Sequence, residues 1–284
     1  MPDGLMPDGL MPDGPMSACE GLFTMNRDDQ WAAGRVVVVT GATSGFGAAF
    51  ARRLTRAGGK VIAVGRRAER LAALAMDCAP GSVLGRAVDL QDPAAPEAIL
   101  QNLPEPFIAI DGLINNAGLA LGLGPAQKAA LPNWETMIAV NVQALVRLTH
   151  AVLPQLVDRP RADIINLASV AASYPYPGGN VYGATKAFVR QFSLGLRSDL
   201  LGTRVRVTSL EPGMCETEFS VVRFGGDQDA AAKVYAGMKP LSAEDVADAL
   251  EAILRLPAHL NVNTMEIMPI QQAFGPFAVD RSGA

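Results

Sequence analysis

The segment from residue 35 to about residue 57 constrains the fold more than any other part of the chain. Arg35–Thr40 is an apolar run between a charged and a polar end, which predicts a buried strand. It leads directly into Gly41-Ala-Thr-Ser-Gly45-Phe-Gly47, and a helix is expected from Ala48 to about Ala57. A glycine-rich turn between a strand and a helix is typical of folds that bind a dinucleotide pyrophosphate. A plain structural turn is the alternative, but the flanking strand and helix favour the phosphate site.

Each glycine has an expected role in this turn. Gly41 would permit the tight bend, Gly45 would let a pyrophosphate approach the backbone, and Gly47 would let the helix pack closely on the strand. The N-terminus of the helix would then face the phosphates.

Apolar strands and helices alternate along the rest of the chain. Further strands are expected at Lys60–Val64, Ser82–Val88, a run from Gly112, Ile164–Ala168, Arg204–Leu210 and Asn263–Met268. Helices are expected from Asn133 to about Val157, after Asn180, and from a cap at Ser242 to about Arg255. This alternation predicts an α/β protein with a single Rossmann-type doubly wound parallel sheet of about seven strands and helices on both faces.

The first 30 residues differ from the rest in composition. The unit Met-Pro-Asp-Gly-Leu opens the chain and recurs twice, the last time with Pro15 in place of leucine. Proline and glycine without a helical or strand period indicate a flexible, low-complexity extension over residues 1–30. A functional tail, or initiation at Met16 or Met25, are the alternatives. Residues 31–284 are expected to form one Rossmann domain.

Composition argues against several classes of function. The formal net charge of −4 argues against nucleic acid as a partner. Three cysteines and two histidines are too scattered for a disulfide framework or a metal cluster, so no metal is expected. The apolar runs are read as too short to cross a membrane. We therefore expect a cytoplasmic protein that binds a small molecule, without a nucleic acid or a membrane as partner.

Ser169, Tyr182 and Lys186 are the candidate catalytic residues. Tyr182 and Lys186 are four residues apart on a predicted helix and share one face, with Asn180 as the expected helix cap. A tyrosine hydroxyl titrates near ~10, and a cation one turn away lowers that pKa toward the range useful for proton transfer. Ser169 follows the strand Ile164–Ala168, and ligands bind at strand ends in open α/β sheets. A solvated helix face is the alternative for the Tyr–Lys pair.

The end of the second strand indicates which dinucleotide is bound. An acidic residue there would accept a hydrogen bond from the ribose 2′-hydroxyl of NAD, but the sequence has Gly65-Arg66-Arg67. Gly65 is expected to leave room and Arg66 to bind a 2′-phosphate, which predicts NADP. The alternative is that both arginines open a solvated helix. Asp89 is expected to accept from the adenine amino group or to cap a helix after Pro93.

Three further segments have features expected around a cofactor and substrate. Asn115-Asn116-Ala117-Gly118 ends the fourth strand with amides followed by small residues. Asn141 lies inside a predicted helix, where asparagine is unfavourable, which indicates a kink or a polar role. The segment from about residue 214 to residue 232 has little periodicity and is interpreted as a mobile flap over the ligand.

Together these motifs resemble the short-chain dehydrogenase/reductase family. The matching pieces, in the family's order over residues 34–270, are Thr40–Gly47, Asn115–Gly118, Asn141, Ser169, Tyr182, Lys186 and Pro212-Gly213. A closer similarity, to the bacterial NADP-dependent 3-hydroxy acid dehydrogenases (also described as L-allo-threonine or serine 3-dehydrogenases), is carried by Asn115–Gly122, Trp134–Met137, Gly178–Ser193 and Leu256–His259. The chain departs from that group in its N-terminal extension and in a flap start, Gly213–Phe219, that is one residue shorter.

The resemblance implies roles for individual residues. Ser169 would hold the substrate oxygen, and Tyr182 would transfer the proton. Lys186 would lower the pKa of Tyr182 and bind the nicotinamide ribose, and Asn141 would hold a water that links Lys186 to solvent. The implied NADP contacts are Gly41, Thr43, Ser44, Gly45, Phe46, Gly47, Arg66, Arg67, Asp89, Leu90, Asn115, Ala117, Gly118, Tyr182, Lys186, Pro212, Gly213 and Thr217. The resemblance also implies a homotetramer built on the helices Asn133–Val157 and Asn180–Leu201.

The expected substrate is a small 3-hydroxy acid of the serine, L-allo-threonine or 3-hydroxypropionate type. Its carboxylate needs a partner, and the flap has one cation, Arg223. We expect Arg223 to pair with that carboxylate, with Ser169 and Tyr182 at the reacting carbon. An ion pair of Arg223 with an acidic residue of the flap (Glu216, Glu218 or Asp227) is the alternative.

Two other functions stay open at this point. The same chemistry could act on another ketone or alcohol. A dinucleotide-binding protein without catalysis is the other alternative, and the intact Ser169, Tyr182 and Lys186 count against it.

Overall fold

A computed structural model describes residues 29–275, which contain one seven-stranded, fully parallel sheet. The strands are β1 (Val36–Thr40), β2 (Lys60–Gly65), β3 (Val83–Ala87), β4 (Ile110–Asn115), β5 (Ala162–Leu167), β6 (Val205–Pro212) and β7 (Thr264–Ile267). Their order across the sheet is β3-β2-β1-β4-β5-β6-β7, so the predicted doubly wound sheet is confirmed. The predicted extension over residues 1–30 lies outside the described residues except for Asp29 and Gln30.

Helices cover both faces of the sheet. They are α1 (Gly45–Arg56), α2 (Ala68–Asp77), α3 (Ala95–Leu100), α4 (Leu131–Ile138), α5 (Leu145–Val157), α6 (Asn180–Asp199), α7 (Glu218–Arg223), α8 (Gln228–Lys233) and α9 (Ala243–Arg255). Single 3-10 turns cover Glu105–Phe107, Ala126–Lys128 and Val170–Ala172.

The four valines of β1 show why the strand has no polar residue before Thr40. Val37 and Val39 belong to the core under α1 and α9, whereas Val36 and Val38 belong to the core under α5. Successive side chains of a strand point to opposite faces, and both faces are covered here. The continuous apolar run is therefore required by burial on both sides.

α4 and α5 form one continuous helix with a π-helical segment, Ala139–Ala144, between them. The helix spans 27 residues and includes a window with a mean hydropathy of 1.3, enough by length and composition to cross a membrane. The expectation that no apolar run reaches that length is therefore wrong. Leu148, Val152 and Leu156 of this helix are fully buried in the core of the sheet, which accounts for its apolar composition.

Three helices begin at residues other than those expected. α4 begins at Leu131 rather than Asn133. α1 begins at Gly45 rather than Ala48, so the glycine turn supplies the first turn of the helix. α6 begins at Asn180, with Gly179 at the cap position. Asn180 is therefore not the cap, and its Oδ1 accepts a hydrogen bond from the adjacent Val181 amide at 2.6 Å.

The strand order reverses beside β1, and a cleft forms at that point. β1 has β2 on one side and β4 on the other. Thr40, the last residue of β1, accepts hydrogen bonds at its Oγ1 from the amides of Asn116 at 3.0 Å and Ala117 at 2.9 Å. The ends of the two strands are thus tied together where an open α/β sheet binds its ligands.

Candidate active site

One cavity of about 680 Å³ opens at the C-terminal ends of the central strands. The predicted site residues that line it are Gly41, Thr43, Ser44, Gly45, Phe46, Arg66, Arg67, Asp89, Leu90, Ala117, Gly118, Ser169, Tyr182, Lys186, Pro212, Gly213, Thr217 and Arg223. Gly47, Asn115 and Asn141 are predicted site residues that do not line it. The glycine turn and the catalytic candidates therefore share one continuous space.

The glycine turn forms the narrow approach expected of a phosphate site. Gly41 has a φ of +67°, in the left-handed region that favours glycine. A Cβ at Gly47 would lie 2.4 Å from the Gly41 carbonyl oxygen and 2.6 Å from Asn116 Nδ2. Gly47 thus has no room for a side chain, which fits its expected role in close packing, whereas its contact with NADP stays a prediction.

The two adjacent asparagines after β4 have different surroundings from those expected. Asn115 is 3% exposed, and its Nδ2 donates to Thr149 Oγ1 and Asn166 Oδ1, both at 2.9 Å. Its assignment as a cofactor contact is wrong, because its side chain is used inside the core. Asn116 lines the cavity instead, with its Nδ2 donating to the Thr40 carbonyl oxygen at 2.8 Å. Strand alternation could have indicated which of the two faces the cleft.

Asn141 connects the long helix to the loop after β4. Its Oδ1 accepts from the Leu119 amide at 2.9 Å, and its Nδ2 donates to the Leu119 carbonyl oxygen at 2.9 Å and to Thr185 Oγ1 at 3.0 Å. Asn141 is 2% exposed and lies in the π-helical segment, so the predicted kink and the predicted polar role are both present. Because the side chain is occupied by protein partners, its role in holding a water stays a prediction.

Ser169, Tyr182 and Lys186 meet beside the end of β5. The side chains of Ser169 and Tyr182 are neighbours in the cavity, and Ser169 Oγ accepts a hydrogen bond from the Ala171 amide at 3.1 Å. Lys186 Nζ lies 5.8 Å from the centre of the Tyr182 ring and donates to the Leu167 carbonyl oxygen at 2.6 Å. A Cβ at Gly118 would lie 3.2 Å from Lys186 Nζ, so the small residue after β4 gives the lysine its space.

Burial dominates the titration of both groups. It raises the pKa of the Tyr182 phenol, while the Ser169 hydroxyl and the nearby charge of Arg223 act in the opposite direction. Burial lowers the pKa of Lys186 to about 8. Tyr182 is therefore protonated at neutral pH and a weaker acid than a free phenol, which is opposite to the lowered pKa expected from the sequence. The effect of Lys186 on the pKa of Tyr182 stays a prediction.

The two arginines after β2 have different surroundings. Arg67 Nη2 donates to Thr43 Oγ1 and Ser44 Oγ, both at 3.0 Å, and the same guanidinium pairs with Glu218 of the flap at 3.1 Å. Arg66 is exposed at the edge of the cavity and forms no ion pair with any residue from 29 to 275. Arg66 is thus the cation available for a phosphate in this conformation.

Gly65 lines the cavity, but the space on its Cβ side is occupied, so its expected role beside a 2′-phosphate stays a prediction. A Cβ at Gly65 would lie 2.5 Å from Thr43 Cγ2, so the space beside Gly65 is already filled by the threonine methyl group. Asp89 lines the cavity and accepts at its Oδ1 from the Gln91 amide at 3.0 Å. The alternative that Asp89 caps the helix after Pro93 is therefore wrong, whereas its contact with adenine stays a prediction.

The flap contains regular structure that its sequence did not predict. α7 follows Thr217, whose Oγ1 accepts from the Phe219 amide at 3.2 Å, and α8 follows Asp227, whose Oδ1 accepts from the Ala230 amide at 2.9 Å. Both helices are too short for a periodic pattern to show. The side-chain caps could have indicated where they begin.

Arg223, in the last turn of α7, points toward the catalytic tyrosine. Its guanidinium carbon lies 5.7 Å from the centre of the Tyr182 ring, and its Nη2 donates to the Tyr176 hydroxyl oxygen at 2.6 Å. It pairs with none of the flap carboxylates, because Glu218 binds Arg67 and Arg70 and no carboxylate within residues 29–275 lies within ion-pair distance of Arg223. The alternative that Arg223 only shapes the flap through an ion pair is wrong.

No three histidine, cysteine, aspartate or glutamate residues within the described range lie close enough together to hold a metal ion.

Comparison with known proteins decides the family. The family model for short chain dehydrogenases matches residues 35–224, about two thirds of the chain. The chain belongs to the short-chain dehydrogenase family. Its members are oxidoreductases, and the catalytic and glycine motifs of this short-chain dehydrogenase lie in the matched range.

Individual relatives extend the similarity beyond the family level. NADP-dependent 3-hydroxy acid dehydrogenase YdfG of Salmonella typhi is 54% identical over 87% of this chain and 100% of its own length. Sulfoacetaldehyde reductase 2 of Chromohalobacter salexigens is 52% identical over 87% of this chain and 98% of its own length. The solved structure described as the closed form of serine dehydrogenase complexed with NADP+ superimposes with a TM-score of 0.84 at 52% identity, covering 87% of this chain and 99% of the other.

Proposed function

We propose that this short-chain dehydrogenase transfers hydride between NADP(H) and the 3-hydroxyl or 3-keto group of a small 3-hydroxy acid, of the serine, L-allo-threonine or 3-hydroxypropionate type. The observation that carries the proposal is the meeting of Ser169, Tyr182 and the guanidinium of Arg223 at one end of the cavity. Ser169 and Tyr182 would activate a hydroxyl group, and Arg223 beside them carries a positive charge. This arrangement suits an alcohol that also carries an anionic group. The relatives named as NADP-dependent 3-hydroxy acid dehydrogenase and as serine dehydrogenase support this substrate class.

The chain's own residues supply proton transfer and charge stabilisation. In reduction, the Ser169 hydroxyl donates a hydrogen bond to the carbonyl oxygen, and Tyr182 gives its proton to that oxygen as negative charge develops. In oxidation the two steps run in reverse, with Tyr182 accepting the proton. Lys186 is placed to stabilise the phenolate, and Asn141 holds the loop after β4 against α6. The bound nicotinamide supplies or accepts the hydride.

The cavity fits a dinucleotide with a 2′-phosphate. The approach between Gly41 and Gly47 leaves no space for a side chain, which suits a pyrophosphate against the backbone. Ala117, Gly118, Pro212, Gly213 and Thr217 line the path from there toward Tyr182. Arg66 and Arg67 would hold the 2′-phosphate, with Asp89 and Leu90 beside the adenine.

Replacing Arg66 with alanine tests this cofactor assignment. In Arg66→Ala the dissociation constant for NADPH is expected to rise about ten-fold, because an exposed charge-assisted contact is lost, while that for NADH changes little. NADPH fluorescence titration measures both constants. Arg70→Ala is the matched control, since Arg70 is a nearby arginine that pairs with Glu218 and does not line the cavity. An unchanged preference for NADPH in Arg66→Ala would place 2′-phosphate recognition elsewhere.

A Gly65→Asp exchange is less informative, because it would also displace Thr43.

Steady-state assays over a substrate panel test the reaction itself. We expect the highest kcat/KM with NADP+ on a small 3-hydroxy acid such as serine, L-allo-threonine or 3-hydroxypropionate. The relative named sulfoacetaldehyde reductase favours a second candidate, a small sulfonate aldehyde, which also carries an anion suited to Arg223. Higher kcat/KM for neutral alcohols and ketones would refute the anionic substrate class. Tight NADPH binding with no turnover on any compound would indicate a non-catalytic dinucleotide-binding protein.

We also propose that the protein is a cytoplasmic homotetramer. The face of α6 formed by Ala184, Phe188 and Gln191 is exposed, and Gly195 on the same helix has nothing within 4 Å of a Cβ position. Ile138 and Leu131 of α4 are also exposed, which supports contact surfaces on both long helices. Light scattering at micromolar concentration is expected to give four times the mass of the 29.8 kDa chain. A monomer mass would rule the assembly out.

A further inference from the structure

Tyr176 lies between two prolines in the loop before α6, and it holds one side of the Arg223 guanidinium. The Tyr176 hydroxyl oxygen accepts from Arg223 Nη2 at 2.6 Å, and the guanidinium carbon lies 5.2 Å from the centre of the Tyr176 ring. Arg223 Nε is buried and has no hydrogen-bond partner among residues 29–275. One part of the guanidinium is therefore held by protein, and another carries a buried donor that still needs an acceptor.

The backbone on both sides of this contact is held in place. A Cβ at Gly179 would lie 2.3 Å from Tyr176 Cζ, so the tyrosine ring packs directly on a glycine at the start of α6. The Arg223 carbonyl oxygen accepts from the Gly122 amide at 3.2 Å, which joins the end of α7 to the loop after β4. Arg223 is thus held through its backbone and its side chain by two separate loops.

The unpartnered donor is close to the reacting groups. Tyr176, Arg223 and Tyr182 all line the same cavity, and the guanidinium carbon is 5.7 Å from the centre of the Tyr182 ring. In a 3-hydroxy acid the carboxylate carbon and the carbinol carbon are two bonds apart, roughly 2.5 Å. A carboxylate on Arg223 would therefore place a short acid beside the Tyr182 ring. A long spacer would place the hydroxyl too far away.

We propose that Tyr176 positions Arg223 as the receptor for the anionic group of the substrate, so that the tyrosine–arginine pair selects short acids over neutral alcohols. This inference rests on the proposed function and deepens it, since it identifies how the acid is recognised. A bidentate, charge-assisted contact depends on the angle of the guanidinium plane, and the Tyr176 hydroxyl and ring set that angle. Tyr176 acts through Arg223 and is a positioning residue.

Tyr176→Phe keeps the ring and removes only the hydroxyl. The inhibition constant of malonate, a short dianion without a reducible ketone, is expected to rise about five- to ten-fold in this variant. It is measured as competitive inhibition against any carbonyl compound that the enzyme reduces, so the readout does not depend on the identity of the natural substrate. The KM of a neutral ketone and the dissociation constant of NADPH are expected to change less than about two-fold.

Tyr174→Phe is the matched control in the same loop. The Tyr174 hydroxyl donates to Glu266 Oε1 at 3.1 Å and has no contact with Arg223. Its removal is expected to leave malonate inhibition unchanged. The double variant Tyr176→Phe/Arg223→Met separates positioning from direct contact. If Tyr176 acts only through the arginine, malonate should inhibit the double variant no more weakly than it inhibits Arg223→Met alone.

Several outcomes would overturn the inference. Multiplicative effects of the two substitutions would mean that Tyr176 contacts the anion itself. Equal losses for malonate and a neutral ketone in Tyr176→Phe would mean that the tyrosine only holds the flap closed. Unchanged malonate inhibition in Tyr176→Phe would also refute it, whatever the wild-type enzyme turns over. Failure of the proposed function is a separate result, visible as absent turnover of short hydroxy acids by the wild-type enzyme.

Discussion

Tyr182→Phe is expected to lower turnover by at least about 100-fold while leaving NADPH binding nearly unchanged. The substitution removes the hydroxyl that exchanges a proton with the substrate oxygen, and positioned acid–base groups contribute roughly 10²–10⁴-fold. The ring itself stays packed against Phe219, whose centre lies 5.6 Å away, so the cavity keeps its shape. Pre-steady-state and steady-state rates of NADPH oxidation measure the loss, and fluorescence titration measures cofactor binding.

Tyr174→Phe is a suitable control for this experiment as well. It removes a phenolic hydroxyl from the same cavity, but that hydroxyl is bound to Glu266 and lies outside the Ser169–Tyr182 pair. Its turnover is expected to stay within a few-fold of the parent enzyme. If Tyr182→Phe also stayed within ten-fold, another group would have to transfer the proton.

Arg223→Met is expected to raise the KM for short 3-hydroxy acids by roughly 10- to 100-fold. Methionine fills similar volume but cannot pair with a carboxylate, and a hydrogen bond to a charged group contributes about 1.5–3 kcal/mol. The kcat for the acid should change less than its KM, because the carboxylate contact is made in the ground state as well as in the transition state. Neutral ketones or alcohols of similar size should retain their KM.

The comparison between charged and neutral substrates decides the interpretation. Arg223 lies in a flap helix and also contacts Tyr176, so its removal could loosen the flap for every substrate. Equal losses for acids and neutral compounds would show that Arg223 supports the flap and that the carboxylate is bound by another group. Arg70→Met provides a surface-arginine control, since Arg70 lies outside the cavity.

Local sequence patterns were sufficient for the fold. The central strands could be predicted because both faces of the sheet are covered, which leaves unbroken apolar runs such as Val36–Val39, whereas β3 and β7 at the edges are only partly buried. α9 could be predicted from its cap, and Ser242 and Asp245 do form the reciprocal pair of hydrogen bonds at its first turn. Tyr182 and Lys186 could be paired because a helix brings residues four apart to one face.

Tertiary contacts showed which of the two neighbouring asparagines is internal. Sequence proposed both Asn115 and its neighbour at the end of β4, and the hydrogen bonds of Asn115 to Thr149 and Asn166 place its side chain inside the core. Likewise, the space on the Cβ side of Gly65 is filled by Thr43, whose methyl group comes from a different loop.

By itself, then, the sequence determined the parallel sheet, the glycine turn and the pairing of Tyr182 with Lys186, because these depend on the alternation of strands and helices and on spacing within one turn or helix. Ser169 lies on a separate segment after β5, and its place beside Tyr182 depends on the tertiary structure. The contacts of Arg67 and Arg223 were decided only by the tertiary structure. Arg67 meets Glu218 across a separation of 151 residues, and Arg223 meets Tyr176 across 47. Long flexible side chains can reach several partners, and their choice depends on how separate loops pack over the cleft, which no local pattern encodes.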